Sequence, residues 1–316
     1  MLAAIPTFSE IKRAHQRIGK YIIETPVLTS ANLDELVGCH VFFKCENFQK
    51  VGAFKMRGAA NKIFSFRPEE RVKGFACHSS GNHAQAVALA AKLAGTKAYV
   101  VMPKNATKAK MDAVVAYGAE VVLCEPGDAA REKACENVLQ KTGATFVHPF
   151  NDYDIIAGQA TAAKELIEQT KHLDAIIVPV GGGGLAAGTA LVADHINPQL
   201  QLFLSEPEQV DDTYQSLKKG KIIPNKSIDT LADGLKTTIG QKPFEILREH
   251  ADGCFTVSEE EMISAMRLIY ERMKIVIEPS CAVPFAALIK HKDKFLNKNV
   301  GIILTGGNVD LAKLPF

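Results

Sequence analysis

The chain has 316 residues, 47% of them hydrophobic and 23% charged, a composition typical of globular proteins and long enough for one large or two ordinary domains. Its 37 basic and 35 acidic residues are interspersed, and a net charge of +2 offers no electrostatic footprint for nucleic acid or an anionic membrane. No apolar run approaches the length that spans a bilayer.

The N-terminus, Met-Leu-Ala-Ala-Ile-Pro, lacks the basic and apolar regions of a signal peptide. Seven cysteines, odd in number and without a Cys-x-x-Cys, read as reduced and mostly buried thiols of a cytoplasmic protein. The nine histidines include no His-Glu-x-x-His, which argues against a zinc site.

Thr7-Phe8-Ser9-Glu10 fits a capping box, and Ile11, Ala14 and Ile18 follow at helical spacing. Thr25-Pro26 leads into an extended segment, and residues 41–44 read as a short strand. Then comes Lys44 to Ala59, where Lys55 lies between Phe54 and Met56 with Gly52 and Gly58 close by. Burial among apolar groups disfavours an ammonium ion, so such a lysine releases its proton readily and can attack a carbonyl. Taken alone, the same pattern also fits a lysine whose stem is packed and whose head is wet.

Phe75–His78 is a further apolar strand, running into Ser79-Ser80-Gly81-Asn82-His83 and an alanine-rich helix to about Leu93. A strand at 98–102, a helix at about 106–117 closed by Gly118, a strand at 120–124, a helix at 128–140 and a strand at 146–148 follow. The pattern resumes with a helix near 155–169, a strand at 175–180, four glycines at 181–184, a helix through Asp194 and a strand at 201–205. Ser258-Glu259-Glu260-Glu261 caps another helix, and the last strand, 300–304, ends at Thr305-Gly306-Gly307-Asn308. Alternating strands and helices with short connections predict an α/β fold with open, mostly parallel sheets flanked by helices.

Four loops, at Lys55, Ser79–His83, Gly181–Gly184 and Thr305–Asn308, fall at strand C-terminal ends or helix starts, the edge where open α/β sheets bind ligands. The tetraglycine is the strongest of them. A strand, four glycines and a helix bring backbone N–H groups and a helix dipole to one spot, which is a phosphate cradle. Gly181-x-Gly183-x-x-Ala186 also fits a loose dinucleotide fingerprint, with Glu206 about where a ribose-binding acid stands. An NAD(P)-dependent oxidoreductase is therefore an alternative, although it leaves Lys55, Ser79–His83 and Thr305 without roles.

Asn47-Phe48-Gln49-Lys50-Val51-Gly52-Ala53-Phe54-Lys55-Met56-Arg57-Gly58-Ala59 closely resembles the lysine motif of fold-type II pyridoxal-phosphate enzymes, specifically the serine racemase and serine/threonine dehydratase family. Ser79 to Gln85, the tetraglycine and Thr305 to Asn308 fall in that family's order, so the resemblance covers nearly the whole chain. It implies a tryptophan synthase beta-like fold of two domains, the smaller (74–147) inserted in the larger (1–73 and 148–316). It also implies that Lys55 binds pyridoxal 5'-phosphate covalently, that Phe54 lines its ring and that Asn82 contacts the pyridine 3-oxygen. Gly181, Gly182, Gly183, Gly184 and the Leu185 amide would hold the phosphate, Gly234 would approach the cofactor, and Thr305 would bond the pyridine nitrogen. A hydroxyl there, unlike a carboxylate, does not hold that nitrogen protonated, so the cofactor is a weaker electron sink suited to prompt β-elimination.

The activity implied is α,β-elimination from serine, threonine or 3-hydroxyaspartate to a 2-oxo acid and ammonia, with Lys55 removing the α-proton. Ser80 resembles a second acid/base on the opposite face, as racemisation requires; a turn or N-cap serine is its plain alternative. Ser79, Asn82 and His83 would grip the substrate carboxylate, with Arg131 and Thr237 as further substrate contacts. Glu206, the Val210 carbonyl and Asp212 would ligate Mg²⁺, Mn²⁺ or Ca²⁺, hard cations suited to carboxylates.

The resemblance further implies a homodimer. A nucleotide effector is a further expectation, with Lys50, Lys274 and Asn308 as its contacts. The end at Phe316 is expected to leave no room for a C-terminal regulatory domain. A catabolic threonine dehydratase without racemisation, a thiol β-replacement enzyme and a ligand sensor without turnover are the other readings.

Overall fold

The computed structural model describes residues 2–106 and 108–316. In chain order its first elements are α1 (Phe8–Ile18), β1 (Val27–Leu28), α2 (Ala31–Val37), β2 (His40–Cys45), α3 (Lys55–Phe64), β3 (Phe75–His78), α4 (Asn82–Leu93) and β4 (Ala98–Pro103). Next are α5 (Lys108–Ala116), β5 (Glu120–Cys124), α6 (Asp128–Thr142), β6 (Thr145–Phe146), α7 (Tyr153–Gln169), β7 (Ala175–Pro179) and α8 (Gly184–Ile196). The last are β8 (Gln201–Pro207), α9 (Asp212–Lys219), α10 (Gln241–His250), β9 (Gly253–Val257), α11 (Glu259–Met273), α12 (Pro279–Lys290) and β10 (Asn299–Leu304).

The strands form two sheets. One has the order β1-β2-β10-β7-β8-β9, parallel except for β1, and the other has the order β5-β4-β3-β6 and is parallel throughout. The second sheet is drawn wholly from residues 75–146.

Both faces of the first sheet are covered, as the near-continuous apolar strands require. Val300 and Ile302 of β10 face α11 and α12 with Ala175 and Ile177 of β7, whereas Ile303, Ile176 and Val178 face α7 and α8. This is the period-2 alternation of a strand buried on both sides. In the second sheet Phe75, Cys77, Val100 and Met102 pack towards α3 and α4, and Ala76, Tyr99 and Val101 towards α6.

The capping boxes expected at Thr7 and Ser258 are both formed. The helix expected over 106–117 spans Lys108–Ala116, and Thr107 lies outside the described residues. The strand expected at 146–148 pairs only as Thr145–Phe146. Helices α2, α9, α10 and α12 and strand β9 were not anticipated, and the extended segment expected after Thr25-Pro26 pairs with β2 as β1. α2 and α9 are short and α12 is apolar nearly all round, whereas α10 does carry an apolar stripe, Phe244, Ile246 and Leu247, that was passed over.

A cluster of buried ions holds α3 against α7. Arg57, two residues beyond Lys55, is fully buried and pairs with Glu46 and Glu165 at 2.7 Å each. Lys44 and His15 close the same cluster on Glu165 at 2.7 and 3.1 Å. Each charge has its counter-charge and hydrogen bonds, which makes burial tolerable and fixes α3 against α7.

Candidate active site

The ends of β2, β10, β7 and β3 deliver the four loops to one cleft. Leu304 pairs with Cys45, so the Lys55 and Thr305 loops emerge side by side. They are stitched by the Ala53–Gly306 bridge, by Phe54 N donating to Thr305 O at 3.0 Å and by Gly307 N donating to Gly52 O at 2.9 Å. The Asn308 amide donates to Val51 O at 2.7 Å and to Asn82 Oδ1 at 2.8 Å, which ties in the loop before α4.

Lys55 is the first residue of α3. Its Nζ donates to Pro149 O at 2.9 Å and lies 5.1 Å from the Phe54 ring centroid. Burial pushes its amine down to about 8, against the opposing pull of Glu278. That brings it within reach of a neutral nucleophile near physiological pH.

The tetraglycine joins β7 to α8. Gly183 has φ +87°, a left-handed conformation that glycine adopts without strain, and N-caps the helix. A Cβ on Gly182 would lie 2.2 Å from Phe150, and one on Gly181 would lie 2.9 Å from the Gly234 carbonyl oxygen. The first-turn amides of α8 have no intrahelical partner and face this cradle. It fits a phosphate.

The segment Pro149–Phe150 closes the cleft beside Lys55 and the glycines, and sequence reasoning missed it. It also missed Glu278, the N-cap of α12, whose carboxylate accepts from Asn82 Nδ2 at 3.0 and 3.1 Å. Burial raises Glu278 to about 7, opposed by the Asn82 bond. The one local signal was Pro279, a helix-start proline directly after a carboxylate. The Asn82 amide, assigned above to the pyridine 3-oxygen, is thus engaged by Glu278 here.

Ser79 Oγ accepts from Gly81 N at 3.3 Å, and Gly81 rather than Ser80 is the N-cap of α4. Ser80 is half-buried in the bend before α4 and does not cap it, so of its two plain alternatives the turn serine stands. His83 is buried, with Nε2 2.9 Å from Val147 O, and burial followed by the nearby Lys55 pushes it down to about 3. A neutral imidazole tied to a carbonyl does not grip a carboxylate by charge, so His83 fixes the loop instead. His148 is likewise held neutral, pushed down to about 4 by burial, and its Nδ1 accepts from Phe150 N and Asn151 N.

Gly234 N donates to Ser280 Oγ at 3.0 Å, beside the cradle. Thr237 is exposed. Arg131 stands on α6 near Cys124 at the end of edge strand β5. Lys274 is the αL C-cap of α11, and its ammonium donates to Glu271 O.

Glu206 is fully buried at the end of β8 and accepts from Thr213 N at 3.1 Å and Tyr214 N at 2.9 Å at the start of α9. Asp212 Oδ2 accepts from Ile239 N at 2.7 Å, while its buried Oδ1 has no hydrogen-bond partner among the described residues. Burial raises both acids, Glu206 to about 8 and Asp212 to about 6. Among the described residues no group of three or more His, Cys, Asp or Glu is disposed to hold a metal ion. A site here would therefore rest on two carboxylates and a carbonyl.

All seven cysteines are unpaired and six are buried. No helix among the described residues is long and apolar enough to cross a membrane.

Residues 18–306 match the family described as "Pyridoxal-phosphate dependent enzyme". The serine racemase of Dictyostelium discoideum is 49% identical, over 98% of this chain and 97% of its own. The beta-hydroxyaspartate dehydratase of Paracoccus denitrificans is 46% identical over 99% of each chain. The structure of maize serine racemase superposes with a TM-score of 0.96 at 42% identity, over 98% of this chain and 95% of that one. The nicotinamide reading is overturned, and the Glu206 carboxylate that supported it accepts from backbone amides of α9. The chain belongs to the pyridoxal-phosphate-dependent enzymes of fold type II, among the serine racemases and hydroxy-amino-acid dehydratases.

Proposed function

We propose that this enzyme dehydrates and deaminates a small hydroxy amino acid to a 2-oxo acid and ammonia, and that it racemises serine. The observation that carries this reading is the Lys55 amine, pushed towards neutrality at about 8 and fixed by one carbonyl beside a four-glycine cradle. When bound, pyridoxal phosphate supplies an electron sink that acidifies the substrate's α C–H.

The chain's own residues do the rest. Amides of Gly181 to Leu185 would hold the phosphate, Phe54 and Gly234 would flank the ring, Asn82 would face its 3-oxygen and the Thr305 hydroxyl its nitrogen. Lys55 takes the α-proton as general base, and Ser80 returns one on the opposite face. Ser79 and the N-terminal amides of α4 receive the substrate carboxylate, and His83 keeps that loop in place. Arg131 and Thr237 are assigned to the substrate's outer end, on the strength of the resemblance.

Glu206, the Val210 carbonyl and Asp212 would hold Mg²⁺, Mn²⁺ or Ca²⁺; the buried, unpartnered Asp212 Oδ1 supports this. A small domain of residues 74–147 inserted in a larger one fits a second sheet confined to 75–146. Unpaired, mostly buried cysteines favour a reducing, cytoplasmic setting. A homodimer rests on the resemblance alone, and so does a nucleotide effector, for which the Asn308 amide would have to leave Val51 and Asn82.

The test is the visible spectrum of the purified protein, followed by pyruvate and D-serine assays with L-serine and Mg²⁺. A yellow band lost on borohydride treatment, with pyruvate and D-serine formed, is the expected result. A yellow protein that forms 2-oxobutyrate from L-threonine but no D-serine from L-serine would make it a threonine dehydratase without racemisation.

A further inference from the structure

The Cys281 thiol has no role in the scheme above, yet it lies against the residue assigned to the pyridine nitrogen. It is fully buried in the first turn of α12, behind Thr305. Its Sγ is 2.8 Å from Gly306 O, 3.0 Å from Gly306 N and 3.3 Å from Thr305 Oγ1. Burial raises the thiol and keeps it protonated.

The directions of these bonds follow from the groups involved. A carbonyl oxygen can only accept, so the S–H proton goes to Gly306 O. The Gly306 N–H can only donate, which uses one lone pair of the sulfur. What the sulfur offers Thr305 is its remaining lone pair, so the Thr305 hydroxyl is the donor in that contact. Sulfur is a weak acceptor, and an aromatic nitrogen in reach of the same proton would compete strongly for it. Threonine's branched side chain adds a stiff χ1 that keeps Oγ1 in place while its proton changes partner.

We propose that Cys281 is a positioning residue that holds the Thr305 hydroxyl as a pre-aimed donor for the pyridine nitrogen of the cofactor. This rests on the reading that Thr305 is that nitrogen's partner. The sulfur satisfies the hydroxyl when the ring is absent and yields it when the ring is present, so Thr305 need not turn or shed a water on loading. Cys281→Ala leaves the Gly306 N–H without its acceptor and lets the Thr305 hydroxyl rotate, while the Gly306 carbonyl keeps the Glu278 N–H at 3.0 Å; Cys281→Ser keeps one donor and two acceptor sites.

The test uses holoenzyme without substrate and reads the pH titration of the visible cofactor band, together with the cofactor affinity of the stripped protein. Cys281→Ala is expected to move the titration midpoint and weaken affinity by about 5- to 10-fold, the scale of one net hydrogen bond. Cys281→Ser is expected to restore both. Thr305→Val is expected to move the midpoint too, and adding Cys281→Ala to it should change nothing further.

A Thr305→Val midpoint equal to that of the parent protein would overturn the Thr305 reading and this inference with it. A shift in Thr305→Val but none in Cys281→Ala would overturn only the role of Cys281. An equal Cys281→Ala shift in both backgrounds would also overturn it, since the thiol would then act by some route other than Thr305.

Discussion

The Asn82 side-chain amide donates to both carboxylate oxygens of Glu278, at 3.0 and 3.1 Å, and so joins the start of α4 to the start of α12 across the cleft. These residues are 196 positions apart and stand at the starts of helices that pack on different sheets. Their bond is weakened whenever Glu278 takes up a proton, because a neutral carboxyl is the poorer acceptor.

Glu278 is raised from 4.5 to about 7, chiefly by burial. In the window between those values the folded chain holds a proton that the unfolded chain has released. Its contribution to stability is therefore present below 4.5 and lost as pH rises through about 7. Glu278→Gln removes that titration. The melting temperature of the cofactor-free variant, relative to the parent protein, should rise with pH across the window and level off above it. A difference that stays constant with pH would show that Glu278 is ionised throughout.

Lys55→Ala should lower turnover by on the order of 10³-fold or more, since it removes both the covalent attachment point and the base. The visible band should lose its sensitivity to borohydride. Ser80→Ala should abolish D-serine formation from L-serine while leaving pyruvate formation within about 10-fold of the parent, a small loss beside that of a removed base. Equal loss of both products would make Ser80 part of the common machinery instead.

Added Mg²⁺ should raise the melting temperature of the parent protein by a few degrees over its value in chelator, because a ligand that binds only the folded state stabilises it. Asp212→Asn should abolish that rise by removing a carboxylate charge beside Glu206. Melting curves that coincide in chelator and in Mg²⁺ would remove the cation from the scheme.

Arg57→Met should destabilise the fold by about 3–5 kcal/mol, because it leaves Glu46 and Glu165 buried beside fewer positive charges. Denaturant titration measures this directly. A loss below about 1 kcal/mol would mean that the cluster repacks with Lys44 alone.

Most of the cleft's backbone was legible in the sequence. The Lys55, Ser79 and Thr305 loops and the tetraglycine each follow a strand by a short connection, and glycine marks backbone that must approach closely. The type and position of His83 fit a carboxylate grip, and only the fold shows its Nε2 held at the Val147 carbonyl. Pro149 and Phe150 were passed over because a proline and a phenylalanine after a two-residue strand carry no chemical signature of their own.

The sequence by itself determined the alternation of strand and helix, the lysine among apolar neighbours and the glycines before α8, since each is a property of residues next to one another. The tertiary structure alone decided that Glu278 meets Asn82, that the Cys281 sulfur meets Thr305, and that Arg57 is sealed between Glu46 and Glu165. Local patterns show a side chain's type and which face of its element it occupies. Partner and ionisation follow from the groups brought against it from distant parts of the chain, and burial there sets how strongly each charge is felt.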